Sequence, residues 1–375
     1  MAIFNSSVTR RQFVQMSLSG GMIALGRGSW ALAAGSEDDW SCPVLGDLHF
    51  DRLEHHDFEW LKQTHPGDLS QVENYSRITR ELTPRLLETV KERIAATKVP
   101  VPFVLQLGDL LEGLCGTAKL AATQANEAVE FIRQVNFGRP LLMTKGNHDI
   151  TGPGAADAYN KVLLPFMARD SKTEVPAANF TQQKGGTSLV FYDAYDKSSL
   201  DWFEAFVAKH RPERLIFLIH PPVVPYNARS SWHVYSHPRQ AESRQRLLAL
   251  LGKTKAIVLC GHLHKYSYLR RRTEQGSFVQ LAISSVASSP DGKPRDVLSG
   301  VEHYGPDLVG LEPKHSPDTL ETRRQLLAVE RPFIEHFEYA DVWGHAQLNS
   351  RGAEFTADIF HGLATESARS LSLSS

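Results

Sequence analysis

The chain predicts an α/β fold whose sheets mix parallel and antiparallel strands, and three observations carry that expectation. Residues 101–107 and 215–219 are nearly continuous apolar runs, the pattern of strands buried on both faces. Helical patterns over 84–98, 117–135, 199–210 and 239–251 alternate with such runs, as in parallel units joined by helices. Beyond residue 266 the pattern turns to paired short runs around turn residues, which is the mark of antiparallel hairpins.

Taken in order, residues 43–46 form a short strand. The helix over 84–98 opens on Thr83 as its N-cap with Pro84 in the first position. A second helix spans 117–135, and a strand spans 140–144. Residues 180–183 and 188–192 flank Gly185-Gly186, a hairpin signal, and 256–260 is a further strand. Residues 266–272 and 278–283 pair around Gln275-Gly276. Residues 286–313, rich in Gly, Pro and Asp, read as a long loop, and Ser316-Pro317 starts a helix running to about 329. Residues 333–348 and 354–360 read as a last hairpin, with Ser350-Arg351-Gly352 near its turn. No internal repeat is visible.

Composition excludes several classes. The 375 residues carry 41 Lys+Arg against 42 Asp+Glu, so charge gives no argument for a nucleic-acid or anionic-membrane partner. No apolar run reaches the roughly 18 residues of a membrane span. Cys42, Cys115 and Cys260 form no C-x-x-C, so neither a zinc knuckle nor a thioredoxin-type motif is expected, and three buried thiols are.

The N-terminus reads as a leader. Thr9-Arg10-Arg11-Gln12-Phe13-Val14 is a twin-arginine sequence, followed by the mildly apolar 22–25, Arg27 and the A-x-A signal Ala31-Leu32-Ala33. The expected organisation is a signal peptide over 1–33, a domain over 34–365 and a flexible tail over 366–375. Loss of the leader leaves 38 basic against 42 acidic residues, a net charge of −4. The twin-arginine machinery exports folded proteins, so the expected location is periplasmic or extracellular, with metal acquired before export.

Five islands carry the chemistry: Gly46-Asp47-Leu48-His49, Gly108-Asp109, Gly146-Asn147-His148-Asp149, His220, and Gly261-His262-Leu263-His264. Each follows a strand-like run, and loops after strands of such sheets gather at the strands' carboxyl edge. Asp47 and His49, two apart at a strand end, share a side and can grip one ion. Asp109 has two oxygens and can bridge two ions about 3.5–4 Å apart. Asn147, His220 and His262 add neutral donors, and His264 can turn to the first ion. This oxygen and imidazole set suits Mn, Fe or Zn. The expected reaction is hydrolysis of a phosphate ester by metal-bound hydroxide without a phosphoenzyme, with His148 protonating the leaving oxygen or binding a phosphate oxygen.

The ordered set D-x-H, G-D, G-N-H-D, H, G-H-x-H over residues 44–265 resembles the calcineurin-like metallophosphoesterase superfamily. The resemblance implies a four-layer α/β/β/α sandwich of two mixed sheets with the metals at one edge. It implies that Asp47, His49, Asp109 and His264 hold one ion and that Asp109, Asn147, His220 and His262 hold the other. Three residues past Asp109 stands Glu112, where purple acid phosphatases carry the coloured Tyr ligand and protein Ser/Thr phosphatases carry Asp before Arg-Gly. Glu112 is followed by Gly113-Leu114, so neither branch is expected, and Glu112 is assigned to orienting His148.

In the loop after His220, Arg229 and His233 are candidate phosphate contacts. His55, His56 and His65 read as surface histidines or a cap on the pocket. Arg270-Arg271-Arg272 reads as the exposed side of a hairpin, without the aromatic platform that single-stranded nucleic acid needs. A small phosphorylated substrate is the expected partner. The alternatives are a nucleotide or cyclic-nucleotide phosphodiesterase on the same site, and a non-catalytic binding protein on the same fold.

Overall fold

The computed structural model describes residues 38–289, 291–314 and 318–374. The leader over 1–33 and the pair Ser316-Pro317 lie outside the described residues. The strands are β1 (Trp40–Leu45), β2 (Val104–Gln106), β3 (Leu141–Met143), β4 (Phe180–Lys184), β5 (Thr187–Tyr192), β6 (Arg214–Ile219) and β7 (Ile257–Cys260). There follow β8 (Tyr266–Thr273), β9 (Gly276–Ala282), β10 (Arg295–Ser299), β11 (Ile334–Asp341), β12 (Gly344–Arg351), β13 (Glu354–His361) and β14 (Arg369–Ser372). The longer helices are α1 (Phe58–Thr64), α2 (Leu69–Glu81), α3 (Thr83–Ala96), α4 (Ala118–Val135), α5 (Leu164–Ser171), α6 (Ser199–His210), α7 (Ala241–Lys253) and α8 (Leu320–Glu330).

Two sheets result. One has six strands in the order β14-β13-β12-β1-β2-β3, and the other has eight in the order β10-β11-β8-β9-β7-β6-β5-β4. Both are mixed. β1, β2 and β3 run parallel while β12 joins β1 antiparallel. β5, β6, β7 and β9 run parallel, with β4 and the β8–β9 and β8–β11 pairs antiparallel.

Strand alternation turns this into four layers. Leu189 and Phe191 of β5, Ile216 and Leu218 of β6, and Ile257 and Leu259 of β7 pack with the first sheet and with Leu86, Leu87, Ala125 and Ile132 of α3 and α4. Their neighbours Val190, Tyr192, Phe217, Ile219, Val258 and Cys260 point the other way, against Leu200, Phe203, Leu247 and Leu251 of α6 and α7. The parallel strands are thus buried on both faces, which is why they read as unbroken apolar runs. Each fully buried aliphatic or aromatic side chain there contributes about 1.5–3 kcal/mol. The three thiols are free and buried.

Sequence and structure part at definite places. Residues 333–348 are not one strand: β11 lies in the eight-stranded sheet and β12 in the six-stranded one. The chain changes sheets just before Gly344, whose N–H donates to the Ser284 carbonyl. A Cβ at Gly344 would lie 1.8 Å from the Phe360 carbonyl oxygen, so only glycine passes there. The expected tail over 366–375 instead contains a short strand. β14 pairs with β13 from Arg369↔Ile359 to Ser372↔Thr356, and Leu371 and Leu373 are buried. An alternation this short gives little periodic signal.

Thr117, expected as the first residue of a helix, is its cap: it accepts from the Leu120 N–H ahead of α4. Thr83, by contrast, is not a cap: it is the first residue of α3, buried, and makes no capping bond. The loop over 286–313 carries the edge strand β10 and two 3-10 turns. The cap of α8 is Thr319, whose side chain accepts from the Thr322 N–H.

Leu371 tests the reassigned C-terminal segment. Leu371→Ala should lower stability by about 2–4 kcal/mol, measured by urea or thermal unfolding. A shift within about 0.5 kcal/mol would return the segment to a loose tail.

Candidate metal centre

All five islands stand where parallel strands end: 46–49 after β1, 108–109 after β2, 146–149 after β3, His220 after β6 and 261–264 after β7. The two sheets place these ends together, so residues far apart in sequence converge. The turns are tight. His49 (φ 45°), Asp109 (54°), His262 (75°) and His264 (54°) all occupy the left-handed region, which costs a residue with a Cβ of order 1–3 kcal/mol each and clusters at functional sites. Gly146 is required by space: a Cβ there would lie 2.1 Å from both the backbone N and Oδ1 of Asp109.

The side chains form two adjoining nests. In the first, His49 Nε2 and His264 Nε2 face each other at 3.0 Å, with Asp47 Oδ1 3.4 Å from His264 Nε2 and Asp109 Oδ2 3.9 Å from His49 Nε2. In the second, His220 Nε2 lies 3.0 Å from Asp109 Oδ2, 3.2 Å from Asn147 Oδ1 and 3.1 Å from His262 Nδ1. Asp109 belongs to both. The groups Asp47–His49–His264 and Asp109–His220–His262 each bring one donor atom per residue within 4.8 Å.

These atoms fit divalent cations. His49 Nδ1 meets the Glu112 carboxylate at 2.7 Å and His220 Nδ1 meets the Leu107 carbonyl at 2.7 Å. Both partners offer an oxygen that can accept from Nδ1, which leaves Nε2 of each ring as the atom available to a cation. Burial holds His49 and His262 far below the ordinary imidazole pKa, in the neutral ligand form. Asp47 and Asp109 are buried, and among the described residues neither has a Lys or Arg partner. Burial opposes charge on Asp109, but His220, His148 and His49 hold its pKa well below the usual carboxylate range. Two buried carboxylates facing imidazole nitrogens need positive charge to be stable.

Other residues hold this arrangement. Asp149 accepts from the backbone N–H groups of Asp109, Leu111 and Gly146, tying two islands together. Burial first, then the Asp109 charge, pushes its pKa up to about 6. His148 donates its backbone N–H to Asp109 Oδ1, and its Nδ1 lies 2.7 Å from the Glu112 carbonyl. Burial lowers its basicity, but the charges of Glu112 and Asp109 raise its pKa to about 9. The His148 side chain is one-fifth exposed at the cleft.

Glu112 contacts His148, as expected, and also reaches His49. Its carboxylate is fully buried, with burial pushing its pKa up to about 8, and its closest side-chain contact is His49. His148 Nδ1 is 3.4 Å from that carboxylate and closer to the main chain. Glu112 is therefore a positioning residue for a candidate metal ligand, and it holds His148 chiefly through its carbonyl.

The two loop candidates also move. His233 is buried, its Nδ1 2.6 Å from the Ser230 carbonyl, and burial and Arg244 bring its pKa down to about 3. A neutral histidine bonded into its own loop does not serve as a phosphate contact. The Arg229 Nε–H donates to Glu312 at 2.9 Å, and its guanidinium lies 5.2 Å from the Trp232 ring, which in turn is 5.8 Å from the His262 ring. Arg229 stands near the site but is already paired. His55 and His56 are buried beside Asp51, not on the surface. Arg271 pairs with Glu330 inside the protein, unlike the exposed hairpin face expected for 270–272.

Sequence reading missed Tyr75, Gln71, Asp149 and Tyr195. Tyr75 stacks on His49 with centroids 4.2 Å apart and planes 3° apart. Tyr195 Oη lies 3.5 Å from Asn147 Oδ1, and the Tyr195 N–H is held by Asp193. Asp149 was visible in the third island without a role, whereas the other three lie outside the islands and carry no local signal.

Two buried carboxylates, four imidazoles and an amide at the junction of two mixed sheets define a candidate dinuclear hydrolase centre. The chain belongs to the calcineurin-like phosphoesterase family, whose model matches residues 44–266, and it is a hydrolase acting on phosphoric esters. Solved structures agree on the fold. A dimetal phosphatase from Danio rerio is 11% identical over 89% of this chain and 98% of its own, with TM-score 0.53. A purple acid phosphatase from yellow lupin is 12% identical over 90% of this chain, with TM-score 0.52. This chain spans only 54% of the lupin enzyme. GAP50, described as the anchor in the inner membrane complex of Plasmodium, is 11% identical over 90% of this chain and 89% of its own, with TM-score 0.52. No curated protein matches in sequence.

Gly146→Ala should displace Asp109, lowering stability by about 1–3 kcal/mol and reducing the bound metal measured by plasma mass spectrometry. Wild-type metal content in that variant would show the crowding to be harmless.

Proposed function

We propose that this chain is an exported dinuclear-metal phosphoesterase that hydrolyses a small phosphate ester. The observation that carries the reading is the convergence of buried Asp47 and Asp109 on four histidines, with His220 Nε2 3.0 Å from Asp109 and the imidazole nitrogens of His49 and His264, and of His220 and His262, 3.0 and 3.1 Å apart. Mn, Fe and Zn fit this oxygen and nitrogen set. Cys260, beside Gly261, is not a ligand on this reading, because it packs in the apolar core with Val258 and Leu251 on the helix side of β7. Bound, the two ions would supply an activated water and charge stabilisation at the phosphoryl group.

The chain's own residues do the rest. Asp47, His49 and His264 would hold the first ion, and Asn147, His220 and His262 the second, with Asp109 shared. His148 stands beside Asp109 with Nδ1 fixed by the Glu112 carbonyl, so the imidazole is oriented to protonate the leaving oxygen. Export is supported by the order of the leader's features: the twin arginines, the apolar stretch and the Ala31-Leu32-Ala33 signal.

A nucleotide or cyclic-nucleotide diester is the second reading, favoured by the Trp232 ring beside His262, which offers a flat surface next to the second nest. Binding without catalysis, the role suggested by the Plasmodium neighbour's description as an anchor, fits poorly with a complete ligand set.

Asp47→Asn and His262→Ala should each remove turnover of p-nitrophenyl phosphate and its bis ester. Wild-type rates in either variant would sink the metal-centred reading. His148→Ala should lower kcat by about 10²–10⁴-fold with metal content unchanged. A screen of mono- and diesters with Mn²⁺, Zn²⁺ and Fe²⁺ separates the two substrate readings.

A further inference from the structure

Helix α2 lies outside the five islands, yet its side chains converge on the two histidines of the first nest. Tyr75 lies flat on the His49 imidazole, at 4.2 Å and 3°. Its Oη is 3.4 Å from His264 Nδ1. Gln71, one helical turn earlier, donates its amide to Glu112 Oε1 at 2.8 Å, and the other oxygen of that carboxylate meets His49 Nδ1. Thr79, one turn later, accepts from the Asp51 N–H at 3.0 Å and donates to the His49 carbonyl at 3.2 Å. The helix thus holds the ring plane of His49, its hydrogen-bonding partner and its left-handed backbone.

The second nest is held differently. His220 Nδ1 meets the Leu107 carbonyl, and the His262 N–H is accepted by Asp47. These are strand-end groups, and none comes from α2.

We propose that α2 builds the first metal site, with Tyr75 and Gln71 as positioning residues that set its affinity for a divalent cation. The proposal rests on the dinuclear reading above. The chemistry is tautomer selection. A histidine binds a cation through Nε2 only if Nδ1 carries the hydrogen. Glu112, kept in place by Gln71, accepts that hydrogen from His49, and Tyr75 Oη accepts it from His264. Removing either acceptor, or freeing the carboxylate to turn away, lets the imidazole adopt the tautomer that cannot bind. Tyr75 also blocks the His49 ring from swinging out of the plane that faces Asp109.

A helix that only packed the core would affect unfolding but would not distinguish one ion from the other. The test is therefore titration of the chelator-stripped full chain with Zn²⁺ or Mn²⁺ by calorimetry, using a competing chelator for tight sites. Tyr75→Phe keeps the stacking ring and removes the hydroxyl, and Gln71→Leu frees Glu112. Tyr304→Phe, which removes a buried phenol bonded to the Pro225 carbonyl and part of neither nest, is the control.

In each α2 variant one of the two affinities should fall about 10–100-fold while the other stays at the wild-type value. The control should match wild type at both sites. Unchanged binding in both α2 variants, or equal weakening of both ions, overturns the proposal. A wild-type chain that takes up fewer than two ions overturns the dinuclear reading, and the proposal with it.

Discussion

The structure depends on buried negative charge that, among the described residues, is met by imidazoles. Asp47 and Asp109 sit in the crevice where the parallel strands of both sheets end, shielded from solvent and facing imidazoles instead of Lys or Arg. A buried carboxylate in that setting is tolerable only beside a proton or a cation. Burial lowers the basicity of His220, but Asp109 and Asp47 raise its pKa to about 9. The fold thus supplies a position where positive charge is strongly favoured, and a metal ion there takes the place the proton otherwise fills. The left-handed backbones of the ligand residues and the obligatory glycines are the steric cost of gathering five loops around that charge.

Much of this was legible in the sequence, for identifiable reasons. The five islands could be read because each is local: a glycine turn and its donors lie within four residues, behind a strand whose double-sided burial shows as an apolar run. The mixed sheets could be read from the change of pattern after residue 266. What stayed hidden depends on distance. Nothing around Tyr75 or Gln71 announces that α2 will lie against His49. Glu112 was noticed for its spacing from Asp109, but its preference for His49 over His148 follows from three-dimensional packing. Arg229 and His233 were chosen because their loop leaves a ligand, and the loop turned them toward Glu312 and Ser230.

Strand boundaries show the same division. β5, β6 and α6 fall close to their sequence limits because apolar periodicity marks both ends. The passage from β11 to β12 was unreadable because both strands mix polar and apolar residues and the break is a change of sheet across only Val342-Trp343, at a glycine where an added Cβ would meet the Phe360 carbonyl. The last strand escaped for the opposite reason, being too short and too polar to show a period.

The six-stranded sheet has a further consequence for how the chain acquires its structure. β1, which carries the first ligands, is flanked on one side by β12, with Trp40 opposite Ser350. A ribosome delivers these partners more than three hundred residues apart, so the strand bearing Asp47 waits, edge exposed, until nearly the whole chain has emerged. Closing so long a loop makes assembly of that sheet a late and slow event. Residues from both ends of the domain must therefore be present before the sheet next to the first nest is complete.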